Sequence, residues 1–396
     1  RELDVYFQDH KDEIIKKYSS IKLKKISIWI INILRMGIYQ IIFLDKIPKS
    51  AAVNECVNLA KRYGHKASSG FVNAILRKVS PDDYLQLFDV KLPKAEMISK
   101  TQSMPLWIIE ELLENNTIEV EEICKNLNLT PCVSIRVNNV KTTKKELEEI
   151  FNKNSIQYEE GELDDFLILN KAKNIENIEG FKEGLFTVQD ESAGLTCLVL
   201  NPKEGQMVLD ACSAPGGKTT YMAEIMKNTG NIIAWDVYEH RINLINENAN
   251  RLGLKNINTS INDASIYNEN YKEKFDKILL DVPCLGIGVI RRKPDIKWQR
   301  KQEDVYEISK LQYKILETCS KYLKPGGELV YSTCSILKKE NEDVILKFLE
   351  NNKDFEIKKL DSNKWNEYIK EEKYFSIKPD KKHDGFFICK LHKNNI

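Results

Sequence analysis

Three kinds of local pattern follow one another along the 396 residues and predict a multidomain chain: an all-α domain, a small α+β domain, and a doubly wound α/β domain. The first eighty or so residues repeat apolar positions at spacings of three and four with almost no strand-like alternation. Short alternating segments around one amphipathic helix come next, and the last two hundred residues alternate strand and helix regularly. These changes place the expected domains at 1–92, 93–184 and 185–396.

The helical part reads "LKKISIWIINILRMGIYQIIFL", then "AAVNECVNLAKRYG" after "DKIPKS", then "SSGFVNAILRKVS", punctuated by Pro48 and Gly64. Ile26 to Leu44 carries fourteen apolar residues in nineteen, close to the length of a membrane span. Arg35 stands at its middle, where insertion costs about 2.5 to 3.5 kcal/mol, so a helix buried in a bundle is expected and no membrane partner. Pro81 and Pro93 are expected to bracket a linker, with "PLWIIEELLEN" as a helix starting at Pro105. In the connector, "CVSIRVNN", "FLILN" and "LFTVQD" read as strands and "TKKELEEIFNKN" as an amphipathic helix. The last part places strands at "MVLD" (207–210), "NIIAWD" (231–236), "NINTSI" (256–261), "KILLD" (277–281) and "ELVYST" (328–333). The helix "VYEISKLQYKILETCSKYL" and a "PGG" turn at 325–327 precede the last of these. In such a sheet ligands bind beyond the carboxyl ends of the strands, so chemistry belongs there.

Sixty basic residues against fifty-nine acidic ones leave no global field to favour nucleic acid or membrane. From Arg1 to Ala95, seventeen Lys/Arg stand against ten Asp/Glu, an excess of seven that suits a polyanionic partner or a plain solvated surface equally. Nine cysteines without any C-x-x-C exclude a disulfide framework and a structural zinc site, and fit a reducing cytoplasm. The five histidines show no metal-binding spacing, so no metal is expected. The chain begins at Arg1 with no signal-peptide pattern, and a monomer is expected.

"VLDACSAPGGKTTYMAE" follows the first strand and opens a helix. A glycine-rich turn there lets backbone approach a ligand and aims helix N–H groups at it. Cys212 stands where a P-loop needs glycine, and G-x-G-x-x-G is missing, so neither ATP hydrolysis nor NAD binding is supported. Asp236 ends the second strand nineteen residues after Gly217, the place of a ribose-binding carboxylate; Asp263 follows the third strand and Asp281 ends the fourth. Each alone is more often a cap, but three at successive strand ends suit an adenosine-containing cofactor without phosphates.

"DACSAPGGKT", "DVPCLGIGVIRRKPDIKW" and "YSTCSI", in this order, resemble the RNA 5-methylcytosine methyltransferases of the RsmB (Sun, Fmu) family. "LRMGIYQIIFLDKIPKSAAVNECVNLAKRYGHKASSGFVNAILRKV" is similar to the NusB-like RNA-binding domain that this family carries in front, with a first helix missing, so 1–92 is expected to be N-terminally incomplete. The resemblance implies a Rossmann-like methyltransferase domain, S-adenosyl-L-methionine as cofactor and a cytosine of 16S ribosomal RNA as acceptor. It implies that Cys212, Ser213, Ala214, Pro215, Gly216, Gly217 and Lys218 form the cofactor loop. Asp236 is then at the ribose, Asp263 near the adenine, and Asp281 at cofactor and base. Alternatives are a relative acting on transfer RNA or another ribosomal site, and a non-catalytic RNA-binding or assembly factor. The front domain speaks against the first, and the retained thiols against the second.

Methylating carbon 5 of cytosine needs a thiolate that adds to carbon 6, which makes carbon 5 nucleophilic. Cys319, Cys389, Cys56 and Cys197 read as core filler, and Cys124 and Cys132 have no motif around them. Cys284 and Cys334 each follow a strand end, and the residue pattern ranks neither above the other. Analogy with DNA cytosine methyltransferases favours Cys284. The closer resemblance to RNA enzymes implies Cys334 as nucleophile and Cys284 in product release. The basic loop Arg291, Arg292, Lys293, Lys297 with Trp298 suits an RNA backbone and an unstacked base.

Overall fold

The computed structural model describes residues 8–86, 92–114, 119–170, 174–360 and 365–395. Its contacts divide it into two compact units, Arg1–Asn128 and Leu129–Ile396, with the helices after Pro93 grouped in the first.

The first unit holds α1 (Gln8–Tyr18), α2 (Ile28–Phe43), α3 (Lys49–Tyr63), α4 (Lys66–Lys78), α5 (Pro81–Gln86), α6 (Lys94–Thr101), α7 (Leu106–Glu114) and α8 (Val120–Asn126). Ser27 caps α2 by accepting the Ile30 N–H. Its apolar stripe, Ile30, Ile33, Leu34 and Ile38, packs on Val53 and Cys56 of α3 and Val72 and Leu76 of α4. Arg35 is answered by Asp12 of α1 through two bonds of 2.7 and 2.6 Å. Among the described residues no helix is long and apolar enough to cross a membrane. The expected linker is corrected at its start: Pro81 opens α5, fastened by the Ser80 N–H donating to Asp83 at 2.8 Å. Residues 87–91 lie outside the described part.

The second unit opens with β1 (Val133–Val137), α9 (Lys144–Lys153), β2 (Tyr158–Glu160), β3 (Phe166–Leu169) and β4 (Phe186–Val188). The strands form an antiparallel sheet in the order β2-β3-β1-β4. Thr143 and Glu146 cap α9 reciprocally, and Leu147 and Phe151 bury its apolar face on the sheet.

The larger part of this unit follows: α10 (Glu191–Leu200), β5 (Met207–Asp210), α11 (Gly217–Ile225), β6 (Asn231–Asp236), α12 (Glu239–Leu252), β7 (Ile257–Ile261) and β8 (Phe275–Asp281). Then come α13 (Ile296–Gln299), α14 (Gln302–Ser320), β9 (Leu323–Thr333), α15 (Glu342–Asn351), β10 (Phe355–Ile357), β11 (Ile369–Lys370), β12 (Tyr374–Ile377) and β13 (Phe386–Lys393). The sheet order is β11-β12-β13-β9-β8-β5-β6-β7, with β10 beside β13. The five strands from β9 to β7 run parallel, and β13 runs antiparallel to β9. Two cores cover its faces, one around Trp235, Leu280 and Tyr331, the other around Tyr221, Leu279 and Ile388. The "PGG" turn is corrected: β9 already starts at Leu323, and its register jumps from Phe275↔Leu323 to Lys277↔Glu328. The tripeptide lies in a bulged stretch of the strand, where residues 324–327 stand opposite the single Asp276, with Gly326 at φ +76°.

Candidate active site

β5, β6, β8 and β9 end on one edge of the sheet, and the conserved direction of a parallel ladder brings their following loops together. Beyond β5, Gly216 takes φ +99°, and a Cβ there would come within 3.2 Å of Ile245. Ser213 tethers the loop by donating its hydroxyl to the Trp235 carbonyl at 2.7 Å, and Asn248 donates to Pro215 O at 3.0 Å. A cavity of about 110 Å³ opens here, lined by Gln189, Asp210, Cys212, Pro215, Gly217, Lys218 and Asp281 among others.

Lys218 Nζ donates to Asp281 Oδ2 at 2.7 Å and lies 5.1 Å from the centre of the Phe386 ring. Burial works against its charge, but Asp281 outweighs burial and holds the ammonium above its ordinary range. Asp281 Oδ1 accepts from Ser332 at 2.9 Å, so both of its oxygens are fixed. Asp236 is buried, accepts the Tyr238 N–H at 3.2 Å and pairs with Arg241 at 3.2 Å. Asp263 is exposed and caps its own turn, accepting from Ser265 N and Oγ at 2.8 and 2.7 Å. These two stand after the next strands along the edge, outside the lining of the cavity.

Two cavity residues went unassigned from sequence. Asp210 Oδ2 accepts from Thr219 at 2.7 Å, whereas Oδ1 is buried without a partner, and burial pushes this carboxyl up to about 7. Gln189 turns its Oε1 to Arg136 and leaves Nε2 buried and unpartnered. An unsatisfied acceptor and an unsatisfied donor in one cavity fit a zwitterionic amino-acid group, the end that S-adenosylmethionine presents. Arg136 comes from β1 of the connector. Fully buried, it pairs with Glu224 at 2.7 Å and also donates to Gly217 O at 3.1 Å, so the connector holds the glycine turn from below. The only sequence signals for these residues were an acidic strand end and the strand "LFTVQD".

On the other side of Asp281 the two thiols meet: Cys284 Sγ and Cys334 Sγ are 3.1 Å apart. Cys284 follows β8 and Cys334 follows β9, which pair in register at Asp281↔Ser332. The Gly288 N–H donates to Cys334 O at 3.0 Å, and a Cβ on Gly288 would meet Gly385 O at 2.2 Å, so only glycine lets the loops close this far. The bond to Cys334, and then burial, push the Cys284 thiol well above its ordinary range. Cys56, Cys197, Cys319 and Cys389 are buried filler, as expected, and Cys124 is buried too.

The basic loop is only partly as expected. Arg291 is buried and bonds Asp384 at 2.5 Å; Arg292 bonds Asp384 and reaches Asp190 at 2.9 Å. Lys297 is buried as well. The Arg291 and Arg292 pairs brace the loop against the segment before β13 and the start of α10, which takes Arg291 away from an open RNA-facing surface. Lys293 and Trp298 remain exposed.

A parallel sheet of this order, with a glycine turn, an unsatisfied zwitterion-sized cavity and a thiol pair at one edge, defines an S-adenosylmethionine-dependent methyltransferase. The family profile described as 16S rRNA methyltransferase RsmB/F matches residues 197–392, that of the NusB family 7–81, and that of the RsmF/B-like ferredoxin-like domain 104–176. A probable ribosomal RNA small subunit methyltransferase B of Bacillus subtilis is 36% identical over 388 residues, covering 96% of this chain and 86% of its own. The crystal structure of PH0851 is 28% identical, covers 99% of this chain and 88% of its own, with a TM-score of 0.83. A methyltransferase homolog from Pyrococcus horikoshii is 31% identical with a TM-score of 0.67, covering 76% and 99%. The chain belongs to the RsmB/F methyltransferase family.

Proposed function

We propose that this enzyme methylates carbon 5 of a cytosine in 16S ribosomal RNA through a covalent adduct with Cys334. The carrying observation is the 3.1 Å contact between Cys284 and Cys334 beside the Lys218–Asp281 pair. The bond to Cys334, and then burial, hold Cys284 in its thiol form, and Cys334 is the sulfur assigned to attack.

S-adenosylmethionine, when bound, supplies a methyl group activated on a sulfonium; Asp210 and Gln189 would hold its amino-acid end and Asp236 its ribose. Cys334 bonds carbon 6 of the cytosine, which breaks the aromaticity of the ring and makes carbon 5 the nucleophile. Asp281, fixed by Lys218 and Ser332, orients the base. Once carbon 5 carries the methyl group, its proton passes to solvent, the double bond re-forms and the electron pair leaves with Cys334 as a thiolate, with Cys284 beside it to assist release. The base must leave its stack to reach this edge, and the exposed Trp298 and Lys293 offer it a stacking face and a phosphate contact.

The helical unit supports an RNA partner on its own terms. Trp29 and Tyr63 are exposed and stacked at 5.4 Å, and the Arg62 guanidinium lies 5.3 Å from the centre of the Tyr63 ring. Lys22, Lys24, Lys25 and Lys61 are exposed nearby in sequence, and neither Ser19–Leu44 nor Cys56–Ser80 contains an acidic residue. An exposed aromatic pair flanked in sequence by basic, acid-free segments suits unpaired RNA.

The test is incubation with methyl-labelled S-adenosylmethionine and 16S RNA, followed by mapping of 5-methylcytosine. Label at one cytosine is expected; bound cofactor without transfer to any RNA would sink the reading.

A further inference from the structure

Glu340 is fully buried in the turn after β9, and no sequence signal singled it out. Its Oε2 accepts the Leu285 N–H at 2.9 Å and the Gln312 Nε2–H at 3.0 Å, while Oε1 accepts the Ser335 hydroxyl at 2.5 Å. Leu285 directly follows Cys284, and Ser335 directly follows Cys334. The same Gln312 Nε2 also donates to Pro283 O at 2.9 Å, on the other side of Cys284. The Glu340 backbone carbonyl accepts the Tyr331 hydroxyl at 2.6 Å, which anchors the turn to β9. One carboxylate is thus bonded to both thiol loops at once.

A carboxylate enclosed this completely is costly unless each oxygen is met by donors. An apolar side chain of similar size would fill the space more cheaply, but it would leave the Leu285 amide, the Ser335 hydroxyl and the Gln312 amide without an acceptor. What the carboxylate adds is a fixed separation of the two loops.

We infer that Glu340 is a positioning residue that sets the distance between Cys284 and Cys334. This rests on the reading that both thiols serve one base. Glu340 touches neither sulfur; it acts through Leu285 and Ser335, with Gln312 as its buttress.

The test compares Glu340→Leu, Glu340→Gln and Gln312→Met with the wild-type chain in three measurements. Affinity for S-adenosylhomocysteine, whose cavity these residues do not line, reports the folded state and is expected within about twofold of wild type. The rate at which diamide closes a Cys284–Cys334 disulfide, mapped by peptide mass, reports the sulfur separation without any turnover. Steady-state methylation reports kcat and KM. Glu340→Leu is expected to slow closure at least about tenfold and to lower kcat about a hundredfold with KM for RNA unchanged, as small misplacements of reacting groups do. Glu340→Gln, which keeps an acceptor, should recover part of both losses, and Gln312→Met should show a smaller loss in the same direction. Wild-type closure rates in a Glu340→Leu protein that binds S-adenosylhomocysteine would overturn the inference. If that variant does not fold, Gln312→Met decides: closure at the wild-type rate overturns it, slower closure supports it. A wild-type chain that transfers no methyl would defeat the functional reading while leaving the disulfide measurement to judge Glu340.

Discussion

Cys284 and Cys334 bring their sulfurs to 3.1 Å although fifty residues separate them, because β8 and β9 are adjacent parallel strands that end together. The contact bears on Cys284 in particular: the bond to Cys334, and then burial, hold its thiol well above the ordinary range, an asymmetry within the pair.

That asymmetry separates their roles. Cys334→Ala is expected to abolish methyl transfer and every covalent species. Cys284→Ala is expected to keep attack but lose release, accumulating a protein–RNA adduct that survives denaturing electrophoresis. The opposite pattern would exchange the assignments.

Asp210 predicts a pH dependence of cofactor affinity. Burial raises its folded pKa to about 7, against about 3.9 for an unperturbed aspartate, so the fold prefers the protonated form. Stability from this preference is present at low pH and is lost as pH rises towards 7. A ligand ammonium needs the carboxylate, so affinity for S-adenosylhomocysteine should strengthen by up to about tenfold per unit below pH 7 and level off above. Calorimetry should show the slope vanish in Asp210→Asn; an unchanged slope would assign it elsewhere.

Arg136 ties the connector to the glycine turn. Arg136→Ala leaves Glu224 charged or protonated without its partner, in a site where burial already raises its pKa. A loss of about 3–5 kcal/mol in denaturant unfolding is expected, with weaker cofactor binding because Gly217 and Gln189 lose a donor. Arg136→Met with Glu224→Leu should recover much of the stability but not the affinity.

Trp29 and Arg62 should matter for RNA and not for chemistry. Trp29→Ala is expected to raise KM for 16S RNA about tenfold with kcat unchanged, as a lost stacking contact of about 1–3 kcal/mol would. Arg62→Glu should raise KM and flatten its dependence on salt. Equal KM values across a salt series would remove this corner from the RNA path.

Much of the fold was legible because the central parallel strands are mostly buried and therefore rich in apolar residues: "MVLD", "NIIAWD" and "KILLD" are found where they were read. The "PGG" bulge was misread because a glycine turn before a strand and a bulge within it share one local signature, and only the register with β8 tells them apart. The site was half legible. Glycines and strand-end carboxylates announce themselves locally, whereas Gln189, Gln312 and Glu340 gain meaning from partners 28 to 55 residues away. Arg291 and Arg292 read as RNA contacts because sequence shows charge without showing Asp384 and Asp190 closing on it.

The sequence by itself determined the alternation of strands and helices, the glycine turn at Gly216 and Gly217, and the presence of two thiols after strand ends, since each depends on neighbours within a few residues. The tertiary structure decided how far apart those thiols stand, which arginines are consumed in ion pairs, and that one buried carboxylate is bonded to both thiol loops. Those outcomes depend on strand order and on a register accurate to one residue, which no local pattern carries.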